Sequence, residues 1–335
     1  MIDTTSTRRY FHIGVITIAA LYFLILVGGI VRASGAGMGC PDWPTCFGRW
    51  VPPTEEAQLP SNYQEIYAER GYADTHFNPV KTWTEYINRL IGVSIGFLIF
   101  LTVFVAIPFR QRDPAVFYVS LAVFLLVGFQ GWLGSAVVAS NLKPAMITAH
   151  MVTAFLIVSL LIYAVIRSQR GIQDDPRLLR LPGKFRVVLL AAGVMTLLQI
   201  AMGTQIRESV DVISVMFSAN DRHLWRDEFP IIFYVHRSFS AIILLTNLWI
   251  GWTLVRNLSL KHWYARFGVV LVGLVLSAIV AGVTLDRLGF PAVVQPLHLL
   301  LANLIFGAQF AMFVIHHQQP AKASLLLTSK RQRLV

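Results

Sequence analysis

Three histidines, His150, His236 and His298, stand inside long apolar stretches of this 335-residue chain. An ionisable side chain there is costly and marks a functional candidate by default. Glu85, Arg89 and Arg237 share that setting, with Arg32 and Arg207 near the ends of two further stretches. The remaining six of the nine histidines divide simply. His12, His262, His316 and His317 fall at helix ends on one side of the membrane and read as interfacial anchors. His76 and His223 fall in loops on the other side. Two imidazoles at one depth on facing helices of a bundle suit axial ligation of a haem iron. A zinc or copper centre would need more donors, and none stands nearby in sequence.

The spacing of these residues repeats. Glu85-Tyr86-Ile87-Asn88-Arg89 aligns with Phe233-Tyr234-Val235-His236-Arg237 at an offset of 148, and His150 aligns with His298 at the same offset. Positions 88 and 150, like 236 and 298, are 62 residues apart. Gly134 falls on Gly282 and Ala154 on Ala302 in this register. Arg32 and Arg207 close their spans alike at an offset of 175, because the loop after the first span is longer. The chain therefore reads as two related halves, 1–180 and 181–335, parallel repeats about an axis along the membrane normal. At 1.5 Å per residue, 88, 150, 236 and 298 each lie about two turns below the outer surface.

The elements that position them are membrane helices. The chain is 56% hydrophobic and 13% charged, against about a quarter charged in soluble domains. Disorder, a disulfide scaffold and a fibrous protein are excluded. Eight spans are predicted, at 13–33, 82–108, 115–139, 144–167, 185–206, 230–256, 263–285 and 290–315, as helices because the runs lack the alternation of a barrel. The fold class is an all-α integral membrane protein, two pseudo-symmetric four-helix bundles. The first span faintly resembles a cleavable signal near Ala33-Ser34-Gly35-Ala36, but its apolar run is too long for one and it reads as a retained helix.

Net charge is +11. The N-terminus, the 109–114 and 256–266 turns, the 167–186 loop and the tail after His317 collect 17 positive charges against four acids, or +13, leaving −2 on the other side. That asymmetry places both termini in the cytoplasm and makes the charge a matter of topology, with no nucleic-acid partner. The largest outer loop, 34–81, contains Cys40-Pro41-Asp42-Trp43-Pro44-Thr45-Cys46, the chain's two cysteines. On the oxidising side a disulfide is their natural state, as a structural staple or as an electron relay.

Arg89 and Arg237 suit bidentate contact with haem propionates, or snorkelling to the interface. Glu85, three residues before position 88, lies on that residue's face of the helix. It reads as a proton-handling carboxylate beside a haem edge or as an i,i+4 partner of Arg89. Its counterpart is Phe233, so one half does chemistry and the other carries electrons.

The run Val27–Cys46, the Glu85–Arg89 motif, and the histidines at 150, 236 and 298 resemble the haem A synthase (CtaA/Cox15-like) family from Arg32 to about Gly307. The Arg32–Cys46 segment is the specific part. The resemblance implies an eight-helix oxidoreductase of the inner (plasma) membrane that converts the C8 methyl of haem O to the formyl group of haem A. It implies haem b ligated by His236 and His298, substrate haem near His150, and Glu85 as the essential carboxylate. Arg32, Arg89, Arg207 and Arg237 become candidates for the propionates. Cys40 and Cys46 become a redox pair that helps electron delivery or haem transfer. Haem O synthase as substrate donor, terminal oxidase assembly factors, a membrane electron donor and a homo-oligomer are the implied partners. The departure is Asn88, where the family pattern has histidine; asparagine is a poor iron ligand. A diheme electron-transfer cytochrome is the rival reading, against which the Glu85/Phe233 and Asn88/His236 asymmetries count. A transporter, the second rival, predicts no bound haem.

Overall fold

The computed structural model describes residues 4–170, 175–217 and 224–319. His223, Asp3, Asp174 and the basic tail with Lys322, Lys330, Arg331 and Arg333 lie outside the described residues. The long helices are α1 (Thr4–Ala33), α2 (Pro79–Ala106), α3 (Pro114–Ala139), α4 (Pro144–Ser168), α5 (Phe185–Met216), α6 (Ile231–Leu258), α7 (Trp263–Arg287) and α8 (Val294–His317). All eight are long and apolar enough to cross a bilayer, and the protein is a multi-pass membrane protein. Large apolar side chains such as Phe97, Val187, Leu245 and Val280 are exposed along them, as lipid-facing positions require.

Local signals set the boundaries. Pro79 opens α2 behind Asn78, whose side chain accepts from the Lys81 amide at 3.0 Å; proline at the first turn removes a donor that would have had no helical partner. Proline likewise opens α3. The predicted spans hold with shifted ends. The largest shift is at α5, which runs ten residues past 206 to Met216. Part of the loop expected at 207–229 is therefore helix. Buried Val210 and Ile213 continue its apolar face while Arg207 pairs with Asp211 at 2.7 Å, so the extension is amphipathic and lacks the uniform apolarity of the predicted span.

Two compact units form, Met1–Leu161 with Ala281–Asn303, and Ile162–Val280 with Leu304–Val335. In the first, buried hydroxyls join α1 to its neighbours: Tyr10 Oη and Ser120 Oγ at 2.7 Å, and Thr17 Oγ1 and Thr102 Oγ1 at 3.0 Å. In the second, Gln309 donates to Asn247 at 3.0 Å and Tyr264 Oη to the Met312 carbonyl at 2.8 Å. Without a hydrophobic force between helices in lipid, such bonds and close packing hold a bundle.

The loop 34–78 is a small folded cap. Its core is Cys40, Cys46, Phe47, Leu59, Tyr63 and Tyr72, with Tyr67, Phe77 and Tyr86 packed against it. Phe47 meets Tyr67, Tyr72 and Phe77 edge to face at 5.3–5.6 Å between ring centres, the favoured aromatic arrangement.

Candidate functional site

α2 presents Thr82, Glu85 and Arg89 on one face, and the cap is fastened to that face. Thr82 Oγ1 donates to the Gly39 carbonyl at 2.8 Å. Glu85 is buried at 4% exposure. Its Oε2 accepts from the Cys40 amide at 2.8 Å, and its Oε1 lies 2.5 Å from Arg89 Nη2. Arg89 then fans into the cap. Its Nη1 donates to the carbonyls of Asp42 (2.8 Å) and Thr45 (3.0 Å), and its Nη2 to that of Cys40 (3.3 Å).

The cap is built for this grip. Cys40 and Cys46 are wholly buried and disulfide-bonded. The Asp42 carboxylate accepts from the amides of Phe47 (2.5 Å) and Gly48 (2.8 Å) and from the Thr45 hydroxyl, so the carbonyls of the turn point outward to Arg89. Gly39 lets the strand of cap lie on α2. A Cβ there would sit 2.6 Å from the Lys81 carbonyl carbon and 2.8 Å from the Thr82 nitrogen. Tyr72 Oη donates to the Met38 carbonyl at 2.8 Å. Burial, and then the negative charge of Glu85, push its phenol above the ordinary 10.0. A carboxylate held at both oxygens in a closed setting exchanges protons along those bonds.

The same unit contains Asn88 and His150. Asn88 Oδ1 and His150 Nδ1 are buried with no hydrogen-bond partner. Gln130 of α3 donates to the His150 carbonyl at 2.9 Å, and a Cβ on Gly134, one turn further on, would lie 3.6 Å from His150 Cε1. His298, also in this unit, stands against Gly282 of α7 with 3.3 Å between the corresponding atoms. The second unit repeats the arrangement. A Cβ on Gly203 would lie 3.5 Å from His236 Cε1, and Gln199 donates to the His236 carbonyl at 2.9 Å.

Sequence reasoning paired Gly134 with Gly282 by register alone. The packing of each glycine against an imidazole was not visible there, although Gln130-x-x-x-Gly134 and Gln199-x-x-x-Gly203 carry the signal.

His236 Nδ1 lies 3.2 Å from the Gln199 carbonyl oxygen. Only a protonated Nδ1 makes that bond, and the lone pair then sits on Nε2, the tautomer a metal takes. The preset tautomer of His236 fits haem-iron ligation, and His150, with no competing hydrogen bond at its buried Nδ1, is free to present either ring nitrogen. The four arginines have different settings. Arg89 is engaged by the cap, and Arg207 pairs with Asp211. Arg32 stands in the last turn of α1 and Arg237 one residue after His236 on α6.

Comparison with known proteins bears on this geometry. The sequence profile of the COX15-CtaA family, described as cytochrome oxidase assembly protein, matches residues 12–310. The chain belongs to this family. Among its relatives is the "Heme A synthase" of Shewanella oneidensis, 32% identical over 154 residues, 46% of this chain and 44% of that protein. That of Methylobacterium nodulans is 30% identical over 199 residues, 55% and 53% of the two chains. That of Brucella suis is 25% identical over 339 residues, 91% and 90% of the two. The chain thus spans about half the length of the first two relatives and nearly all of the third. Within the COX15-CtaA match lie Arg32, the disulfide, Glu85 and all three intramembrane histidines.

Proposed function

We propose that this chain is a haem A synthase, a membrane oxidoreductase that takes haem O and converts its C8 methyl to the formyl group of haem A. The observation that carries the reading is buried Glu85, gripped by Arg89 and the Cys40 amide in the compact unit that holds His150. Haem O is the substrate, and haem b is the resident cofactor that supplies electron-transfer capacity. With dioxygen as oxidant and source of the formyl oxygen, the conversion takes two O2, four electrons and four protons per methyl group and leaves three waters; haem b would relay the electrons of the membrane donor, and Glu85 passes protons at a carboxylate oxygen near the substrate edge. His150 would hold the substrate iron. By the sequence register His236 and His298 would hold haem b, the first preset by its bond to Gln199.

Arg237, Arg32 and Arg207 contact propionates, and Arg89 does so only if it gives up part of its hold on the cap. The sequence halves 1–180 and 181–335 divide the labour between substrate and electron transfer. The enzyme lies in the inner membrane with both termini cytoplasmic. It receives haem O from a haem O synthase, draws on a membrane electron donor and serves terminal oxidase assembly; association with a second copy belongs to the same reading. The disulfide serves at least to hold the cap on Glu85.

The test is co-expression with a source of haem O and extraction of the haems. Haem A should accumulate with the natural sequence and should vanish with Glu85→Gln, while the purified variant still carries haem. Undiminished haem A from Glu85→Gln would remove the carboxylate from the reaction, and no haem A from the natural sequence would refute the assignment.

A further inference from the structure

Four helix pairs of this chain share one packing device, and one of them is altered. In three, a histidine ring lies against a glycine of the helix before it: His150 on Gly134, His236 on Gly203 and His298 on Gly282, at 3.3–3.6 Å from a Cβ built there. The fourth pair is α1 with α2. α1 ends in Gly28-x-x-x-Arg32 as α5 carries Gly203-x-x-x-Arg207, and α2 has Asn88 in the register of His236. A Cβ on Gly28 would meet nothing within 4 Å. The glycine is kept without a ring against it. Asn88 Oδ1 is nevertheless buried and has no hydrogen-bond partner, and His150 Nδ1 in the same unit is in the same condition.

A buried amide oxygen without a partner is expensive. The carboxamide is shorter than an imidazole and is a weak iron ligand, but it both donates and accepts hydrogen bonds. We propose that His150 is the only protein ligand of the haem taken by the N-terminal half, 1–180. Asn88, standing in the place of the second ligand, instead hydrogen-bonds a small exchangeable ligand, water or a diatomic molecule, at the open position. This rests on the haem A synthase reading of that half. Asn88 is then a positioning residue for a ligand site that the histidine of the other half does not leave open.

Carbon monoxide is the probe, because reduced haem with one axial histidine binds it and haem with two does not bind it readily. The full-length protein, purified in detergent and supplied with excess haem b as a surrogate for the substrate, is reduced and titrated with carbon monoxide. The natural sequence should hold two haems, one binding the gas. Asn88→His should convert that haem to a low-spin form inert to carbon monoxide. Asn88→Leu, of similar size but without the amide, should still bind it, with dissociation about tenfold faster for the loss of one hydrogen bond. His150→Ala should lose the reactive haem and keep the other.

Uptake of a single haem, a natural protein whose haems are all low-spin and inert, or an Asn88→Leu dissociation rate equal to that of the natural protein would overturn the proposal. Haem A formation is scored separately. A reactive first haem in a protein that makes no haem A sinks the enzymatic reading and keeps the ligation; haem A made by a protein with an inert first haem does the reverse.

Discussion

Replacing Arg89 with glutamine should free the cap from α2 without unfolding the bundle. Arg89 contributes four hydrogen bonds, to the carbonyls of Cys40, Asp42 and Thr45 and to Glu85. Its side chain is 13% exposed and that of Glu85 5%, so the ion pair is close to the buried case. Removing one partner of a buried pair costs about 3–5 kcal/mol. The lower end applies here, because Glu85 keeps the Cys40 amide and can take up a proton. About 3 kcal/mol corresponds to roughly 10² in the opening equilibrium of the cap.

Hydrogen exchange in detergent reads this directly at the Cys40, Phe47 and Gly48 amides, which donate to Glu85 and Asp42. Reduction of the disulfide by a bulky phosphine reads it again, since both sulfurs belong to fully buried residues. Both rates should rise about 10²-fold with Arg89→Gln. They should rise less with Arg89→Lys, which keeps the charge but not the fork, and not at all with Arg237→Gln. Unchanged exchange and reduction in a folded Arg89→Gln protein would show that the cap is held by its aromatic core alone.

Gly39→Ala should loosen the same cap, because the added carbon meets the backbone of Lys81 and Thr82 and not a flexible side chain; faster exchange at Cys40 is the readout. Gly282→Ala should push on the His298 ring, 3.3 Å away; if these histidines hold the proposed haem b, its spectrum should shift more than with Gly203→Ala, which acts on His236 at 3.5 Å. In the second unit, Asp175 bonds Arg177 and His262, the latter at 2.6 Å. These partners, Arg177 foremost, lower its carboxyl from 3.8 to about 2. Its stabilising contribution is therefore complete above about 3.8 and is lost as pH falls toward about 2. Melting temperatures across that interval should fall for the natural protein, and the fall should be shallower for Asp175→Asn.

The spans were legible because twenty-residue apolar runs have few other outcomes. The end of α5 was not, since beyond Ile206 the helix keeps only an apolar stripe through Val210 and Ile213. The 148-residue register brought out the histidines and Arg89, and one reading of Glu85, the i,i+4 pair with Arg89, appears in the structure. What Arg89 does next could not be read. Its partners are main-chain carbonyls, which carry no residue code, and they are aimed by an Asp42 turn. The cap's core was hidden for a related reason: Tyr63, Tyr67, Tyr72 and Phe77 follow no sustained helical or strand period and are gathered by Phe47, itself in a left-handed turn at φ 54°.

The way the cap meets α2 also bears on how the chain is made. A glutamate and an arginine in an apolar helix are a burden at the moment that helix enters the bilayer. Every cap atom that relieves them belongs to residues 39–45, and these are synthesised before α2. When α2 leaves the ribosome, the groups that will cover its charges have already been made, so the order of synthesis itself shortens the time for which Glu85 and Arg89 face lipid alone.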